Sequence, residues 1–131
     1  MDFTYPKHEK LKSRKVIDSL FSEGKSVSKY PLRLVYVADN SENEKLGSSL
    51  TTGVSVSKKY FKKAVDRNYF KRVLRETYRL NKHLLTENLD QHYSLMLFYQ
   101  TKDRLSYEEI NTKTIQLFEK FLTQIKKPSD T

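Results

Sequence analysis

Residues Leu50 to Lys82 read LTTGVSVSKKYFKKAVDRNYFKRVLRETYRLNK, and two periodicities meet inside that stretch. From Leu50 to Ser57 the residues Leu50, Thr52, Val54 and Val56 share one side and Thr51, Gly53 and Ser55 the other, the two-residue repeat of a strand. From about Tyr60 to Leu80 the spacing becomes helical, and the helix is strongly basic. Between Lys58 and Lys82 ten Lys or Arg face only Asp66 and Glu76, a local balance of +8 within a chain whose total is +9. The other 106 residues are almost neutral, with fifteen basic and fourteen acidic side chains. Positive charge held in a fixed array is rewarded by phosphate neutralisation and counterion release, so this helix is suited to a polyanion. A merely solvated helix would interleave both signs, which this one hardly does.

At about 100° per residue, Lys63, Arg67, Asn68, Lys71, Arg72, Arg75 and Arg79 project into one half of the helix. Val65, Tyr69, Phe70, Val73, Thr77 and Leu80 fill most of the other, which is expected to face a core, with Leu74 and Tyr78 near the basic side of the seam. The ladder Lys63, Arg67, Lys71, Arg75 sets like charges four residues apart, an arrangement that weakens an isolated helix. Its rationale therefore lies in a ligand. Arg supplies a fork of donors for phosphate, Lys a mobile charge, and Asn68 a group for a base edge or 2′-hydroxyl, so structured RNA suits the row. DNA reading by a recognition helix lacks support from any helix-turn-helix spacing, zinc-ligand pattern or heptad zipper. An anionic membrane fits less well, because the opposite face is committed to a core.

Outward from this stretch, Leu32 to Ala38 alternates as a strand after Pro31, and Asp39 to Ser48 reads as a loop joining it to the strand at Leu50 as an antiparallel neighbour. Upstream, Ser13 opens a short helix carrying Val16, Ile17, Leu20 and Phe21, which stops at Gly24. Downstream, Tyr93 to Gln100 is nearly all apolar, as a strand covered on both faces would be. Ser106 to Glu109 has capping-box spacing and starts a last helix with Ile110, Leu117, Phe118, Phe121, Leu122 and Ile125 on its apolar side. The resulting order is α, β, β, α, β, α, an α+β sandwich in a single compact domain. Residues 1–12 are expected to form a flexible basic arm, 13–127 one RNA-binding domain, and 128–131 a disordered tail.

The length of 131 residues allows one modest core, and sixteen Phe or Tyr residues are enough to fill it. The absence of cysteine excludes a disulfide framework and suits the cytoplasm. The longest wholly apolar run, Leu95 to Tyr99, is far too short to cross a bilayer, so no membrane role is expected. His8, His83 and His92 stand in polar segments without metal-ligand spacing, and three glycines are too few for a phosphate-cradling loop. Ser55 and Ser57 have no base and carboxylate pattern around them. No catalytic residue and no metal site is therefore assigned. An RNA-directed chain without acid, base or metal ligands reads as an accessory subunit.

Ser55 to Arg75, SVSKKYFKKAVDRNYFKRVLR, resembles the protein subunit of bacterial ribonuclease P. Ser55, Ser57 with Lys58 and Lys59, Ala64, Arg67 with Asn68, and Lys71 with Arg72 match the family's S-x-K, A-V, R-N-R and K-R pattern. The third R-N-R position is Tyr69 here, and Ile17 stands where the first helix is often aromatic. The resemblance, which runs from Leu11 to about Phe121, implies an αβββαβα-type sandwich, an architecture also found in a ribosomal-protein domain, with a left-handed βαβ crossover. It implies RNA contacts by Lys58, Lys59, Lys63, Arg67, Asn68, Lys71, Arg72, Arg75 and Arg79. It further implies a cleft for the 5′ leader of precursor tRNA, for which Ile17, Phe21, Tyr36 and Val54 are the matching positions. In such an assembly the partner RNA carries the chemistry with bound Mg²⁺, and the protein binds no cofactor or small molecule of its own. A ribosomal or assembly protein with a similar fold is the alternative.

Overall fold

Alternation along each strand explains how the sheet is sided. The computed structural model of the chain describes residues 22, 24–38, 50–87 and 93–126. The expected arm, the helix at 13–21, the loop at 39–48 and the tail lie outside them. The elements are β1 (Lys25–Lys29), β2 (Leu32–Ala38), β3 (Leu50–Val56), α1 (Ala64–Thr86), β4 (Tyr93–Tyr99) and α2 (Tyr107–Lys126). This is a mixed α+β domain whose four strands form one sheet in the order β1-β2-β4-β3.

β1 and β2 form an antiparallel hairpin, β2 is antiparallel to β4, and β3 runs parallel to β4. The strands at 32–38 and 50–56 are thus separated by β4, and the expected direct pairing between them does not occur. The reason is the apolar character of β4: a strand this rich in apolar side chains gains most by lying between two others. β1 escaped the residue-by-residue reading because KSVSK buries only Val27. Short strands with lysines at their ends are typical sheet edges, and they carry little apolar signal.

One row of alternate side chains, Val27, Leu34, Leu97 and Val54, crosses the sheet on the same face as Leu32, Tyr99 and Val56 and as Tyr36, Leu95 and Thr52. Both helices cover this face: α2 lies against β1 and β2, α1 against β3, and the helices touch each other. Between them Phe70, Leu74, Tyr78, Leu85, Ile110, Leu117, Phe118 and Phe121 complete the core.

The helices meet across a polar seam as well as an apolar one. Asn81 Nδ2 donates to the Thr77 carbonyl at 2.8 Å and to Asn111 Oδ1 at 2.7 Å. The Thr114 hydroxyl donates to the Ile110 carbonyl at 2.8 Å and lies 3.2 Å from the Thr77 hydroxyl. At the start of α2, Ser106 N–H donates to Glu109 Oε1 and Glu109 N–H donates to Ser106 Oγ, each at 3.1 Å, so the expected capping box is formed.

Candidate nucleic-acid interface

Ser57 organises the turn between β3 and α1. Its hydroxyl accepts the Lys59 N–H at 3.0 Å, and its carbonyl accepts the N–H groups of Tyr60 and Phe61 at 3.1 and 3.2 Å. A serine that bonds its own backbone two residues on closes a tight turn without glycine. The turn projects Lys58 and Lys59 into solvent, with Lys62 and Lys63 exposed just beyond.

Lys63 is the N-cap of α1 in extended conformation, with no side-chain cap of its own. Arg67 reaches back instead, donating through Nη1 to the carbonyls of Phe61 and Lys62 at 2.9 and 2.8 Å. Asp66 in the first turn pairs with Arg104 at 3.2 Å, and the Arg104 guanidinium also lies over the rings of Phe61 and Phe70. Phe61, Phe70 and Tyr99 form a continuous stack behind this end of the helix, with centroids 4.7 and 4.6 Å apart. The helix is therefore fixed at its N-terminus by aromatic packing and at its C-terminal half by the polar seam with α2.

The solvent-facing side of α1 is rotated from the expected one by roughly a quarter turn. Leu74 and Tyr78, placed near the seam by projection, are 0% exposed, whereas Val65 and Tyr69, assigned to the core side, are 71% and 39% exposed. The cause is the neighbours: β3 and α2 both approach from the side of Phe70, Leu74, Thr77 and Tyr78, and bulk there outweighs the scattered apolar residues opposite. The outward side carries Asn68, Arg72 and Arg75, all exposed, with Arg79 half-buried beside them. Lys71 is half-buried at the margin, and Arg67, though partly accessible, is engaged with backbone carbonyls.

Glu76 pairs with Arg79 one turn on, and this hydrogen bond raises the guanidinium pKa above its ordinary value. The pair partly neutralises that end of the row. Charge is thus concentrated at Lys58, Lys59, Lys62, Lys63, Arg72 and Arg75. Tyr69 stands among these cations, its ring beneath the Arg72 guanidinium at 5.7 Å. Its exposure is the feature that projection missed.

Two of the positions matched to a leader cleft fall on the helix-covered side of the sheet. Tyr36 is 5% exposed, edge-on to Phe121 at 4.7 Å, with Gln124 Nε2 donating to its hydroxyl at 2.5 Å. Burial, only partly offset by that hydrogen bond, raises the phenol pKa. Val54 is half-buried against the same core. Both lie on the helix-covered face because they share the register of Leu97 and Leu95. Ile17 and Phe21 lie outside the described residues.

The opposite face of the sheet is a different surface. Its rows are Ser28, Arg33, Phe98 and Ser55; Ser26, Val35, Met96 and Gly53; and Val37, Ser94 and Thr51. Phe98 and Met96 are half-buried at the centre, flanked by hydroxyls, by exposed Arg33 and by Gly53, which has no side chain to lift a ligand off the strand. Among the described residues no three His, Cys, Asp or Glu side chains converge to hold a metal ion. No described helix is long and apolar enough to cross a membrane.

Comparison with known proteins gives the family and the fold. The family pattern of Ribonuclease P matches residues 5–122. The Ribonuclease P protein component of Porphyromonas gingivalis is 43% identical over 105 residues, covering 79% of this chain and 74% of the relative. That of Dictyoglomus thermophilum is 30% identical over 118 residues, covering 90% and 92%. The RNase P protein of Staphylococcus aureus has the same fold, with a TM-score of 0.68 at 18% identity over 86% of this chain and 94% of that one.

Proposed function

The chain belongs to the ribonuclease P protein family, and from that premise we propose how its surfaces share the task. It is the protein component of a ribonucleoprotein endoribonuclease that matures the 5′ end of tRNA, and its partner is an RNA subunit. The outer side of α1 and the lysine turn before it bind that RNA. Arg72 and Arg75 contact phosphates, Lys58, Lys59, Lys62 and Lys63 extend the charged track, and Asn68 reaches a base edge or 2′-hydroxyl. Arg67 acts mainly by holding the turn in place, and Lys71 and Arg79 lie at the margins.

The single observation that supports this reading most is the division of α1: exposed cations on one side, a sealed aromatic and aliphatic core on the other. Such a helix can carry concentrated like charge because packing, rather than its own surface, holds it helical. The 5′ leader of precursor tRNA runs along the opposite face of the sheet, where Phe98 and Met96 offer apolar contact, the Ser26, Ser28 and Ser55 hydroxyls offer hydrogen bonds, and Arg33 meets a phosphate. Hydrolysis belongs to the RNA and its Mg²⁺ ions. The protein contributes by neutralising phosphates that would otherwise repel substrate, and the cytoplasm is its place of action.

Reconstitution tests the reading. Added to ribonuclease P RNA from the same organism, the chain should stimulate cleavage of precursor tRNA at low Mg²⁺, with the benefit shrinking as Mg²⁺ is raised. No stimulation at any Mg²⁺ concentration would reject it.

A further inference from the structure

We propose that Tyr69, with Arg72 beside it, is a stacking platform that receives one unpaired base of the bound RNA. The inference rests on the reading that the outer side of α1 meets RNA and adds a contact of a different chemistry to it. Among the described residues the exposed large hydrophobic side chains are Tyr30, Val65, Tyr69 and Tyr107. Two of these four, Val65 and Tyr69, sit one turn apart on the outer side of the most cationic helix. Packing of the fold does not call for them there: the core side of α1 is already filled by Phe70, Val73, Leu74, Tyr78 and Leu85.

The ring of Tyr69 is held rather than loose. It meets the Phe70 ring edge-on, with centroids 4.9 Å apart at 84°, and Phe70 is itself 1% exposed in the stack with Phe61 and Tyr99. A phenol has few rotamers to lose, and one already braced against a buried ring loses fewer on binding. The Arg72 guanidinium 5.7 Å from the centroid can stay as a planar partner or turn to an adjacent phosphate. Exposed Asn68, the residue before, can reach the edge of a base lying on the ring. Aromatic face, guanidinium and amide thus converge on one patch.

The partner must be an unpaired base, because within a duplex each base face is already occupied by its neighbours. The chemistry also predicts a signature. Phosphate contacts weaken steeply with salt through counterion release, whereas stacking on a neutral ring releases no counterion. At this position Tyr69 replaces a cation with a contact that is insensitive to salt.

The test uses the full chain and ribonuclease P RNA of the same organism, measuring affinity across a salt series. Tyr69→Ala should weaken binding by roughly tenfold at every salt concentration, with an unchanged slope of log affinity against log salt. Tyr69→Phe should restore the affinity, and Tyr69→Arg should restore it at low salt only, with a steeper slope. RNA carrying 2-aminopurine at unpaired positions should show one site whose fluorescence is quenched by the unaltered chain and by Tyr69→Phe but not by Tyr69→Ala. Unchanged affinity for Tyr69→Ala, failure of Phe to rescue, or a loss expressed as a shallower slope would each overturn the platform. Thermal unfolding of each variant separates a folding defect from lost contact, and affinity loss matched by lost folding also overturns it. Failure of the unaltered chain to bind the RNA at all is a separate result, which removes the underlying reading and the platform with it.

Discussion

Two polar rows run along α1, one inward and one outward, and they obey opposite rules. The inward row, Thr77 and Asn81, is buried against α2 and meets Asn111 and Thr114 through hydrogen bonds. The outward row, Asn68, Arg72 and Arg75, is exposed and carries concentrated charge. A buried polar group costs folding free energy unless its partners are present, so the inner row closes on itself and fixes the register of the two helices. An exposed cation has no such constraint, so the outer row could be shaped by an external partner. Polarity on a helix therefore identifies function only once burial is known.

The largest way to break the comparison is from behind. Phe70→Ala removes the ring on which both Phe61 and Tyr99 stack, and should cost about 3–5 kcal/mol in urea unfolding, with RNA binding lost only through unfolding. Asn81→Ala strikes the inner row and leaves Asn111 Oδ1 without its donor, for an expected loss of about 1–3 kcal/mol of stability. The salt slope of RNA binding should stay unchanged in that variant under conditions where it remains folded.

The double variant Arg72→Ala, Arg75→Ala sharpens the contrast from the other side. Its stability should move by less than about 0.5 kcal/mol. Its slope of log affinity against log salt should fall by about one unit or less for each lost phosphate contact. A stability loss as large as that of Asn81→Ala would show that the outer row also holds the fold.

The smallest effect lies at the start of α2, away from both rows. Ser106→Ala should destabilise the fold by about 1 kcal/mol at neutral pH and leave RNA affinity intact. Ser106 also sets a pH dependence. Its backbone N–H, and then its hydroxyl, hold the Glu109 carboxyl below its ordinary pKa. A depressed carboxylate stabilises the folded state above its unfolded pKa, and that stability fades as pH falls through the folded value. Glu109→Gln should flatten this acid limb in thermal melts between neutral and acid pH.

Much of this was legible in the sequence, for identifiable reasons. The capping box at Ser106 is local chemistry over four residues, and the structure forms it as read. The interior place of β4 in the sheet was legible from its nearly continuous apolar run. β1 was not legible, since a five-residue edge strand with one buried side chain looks like a loop. That Tyr36 and Val54 face the helices was not legible, because alternation tells which residues share a face but not which face the helices cover. Tyr69 was turned inward because an ideal projection assigns sides by averaging polarity, while two large neighbours set the actual rotation.

The chain's order of residues determined by itself that a strand leads into a cationic helix, that an apolar strand and an amphipathic helix follow, and that one segment holds nearly all the net charge. These are properties of spacing and composition, and they survive in any conformation. Tertiary structure alone decided which strand neighbours which, which sheet face α1 and α2 cover, and which side of α1 meets solvent. Those outcomes depend on contacts between segments far apart in the chain, where the packing of Phe70, Tyr78 and Leu74 against β3 and α2 outweighs the local pattern.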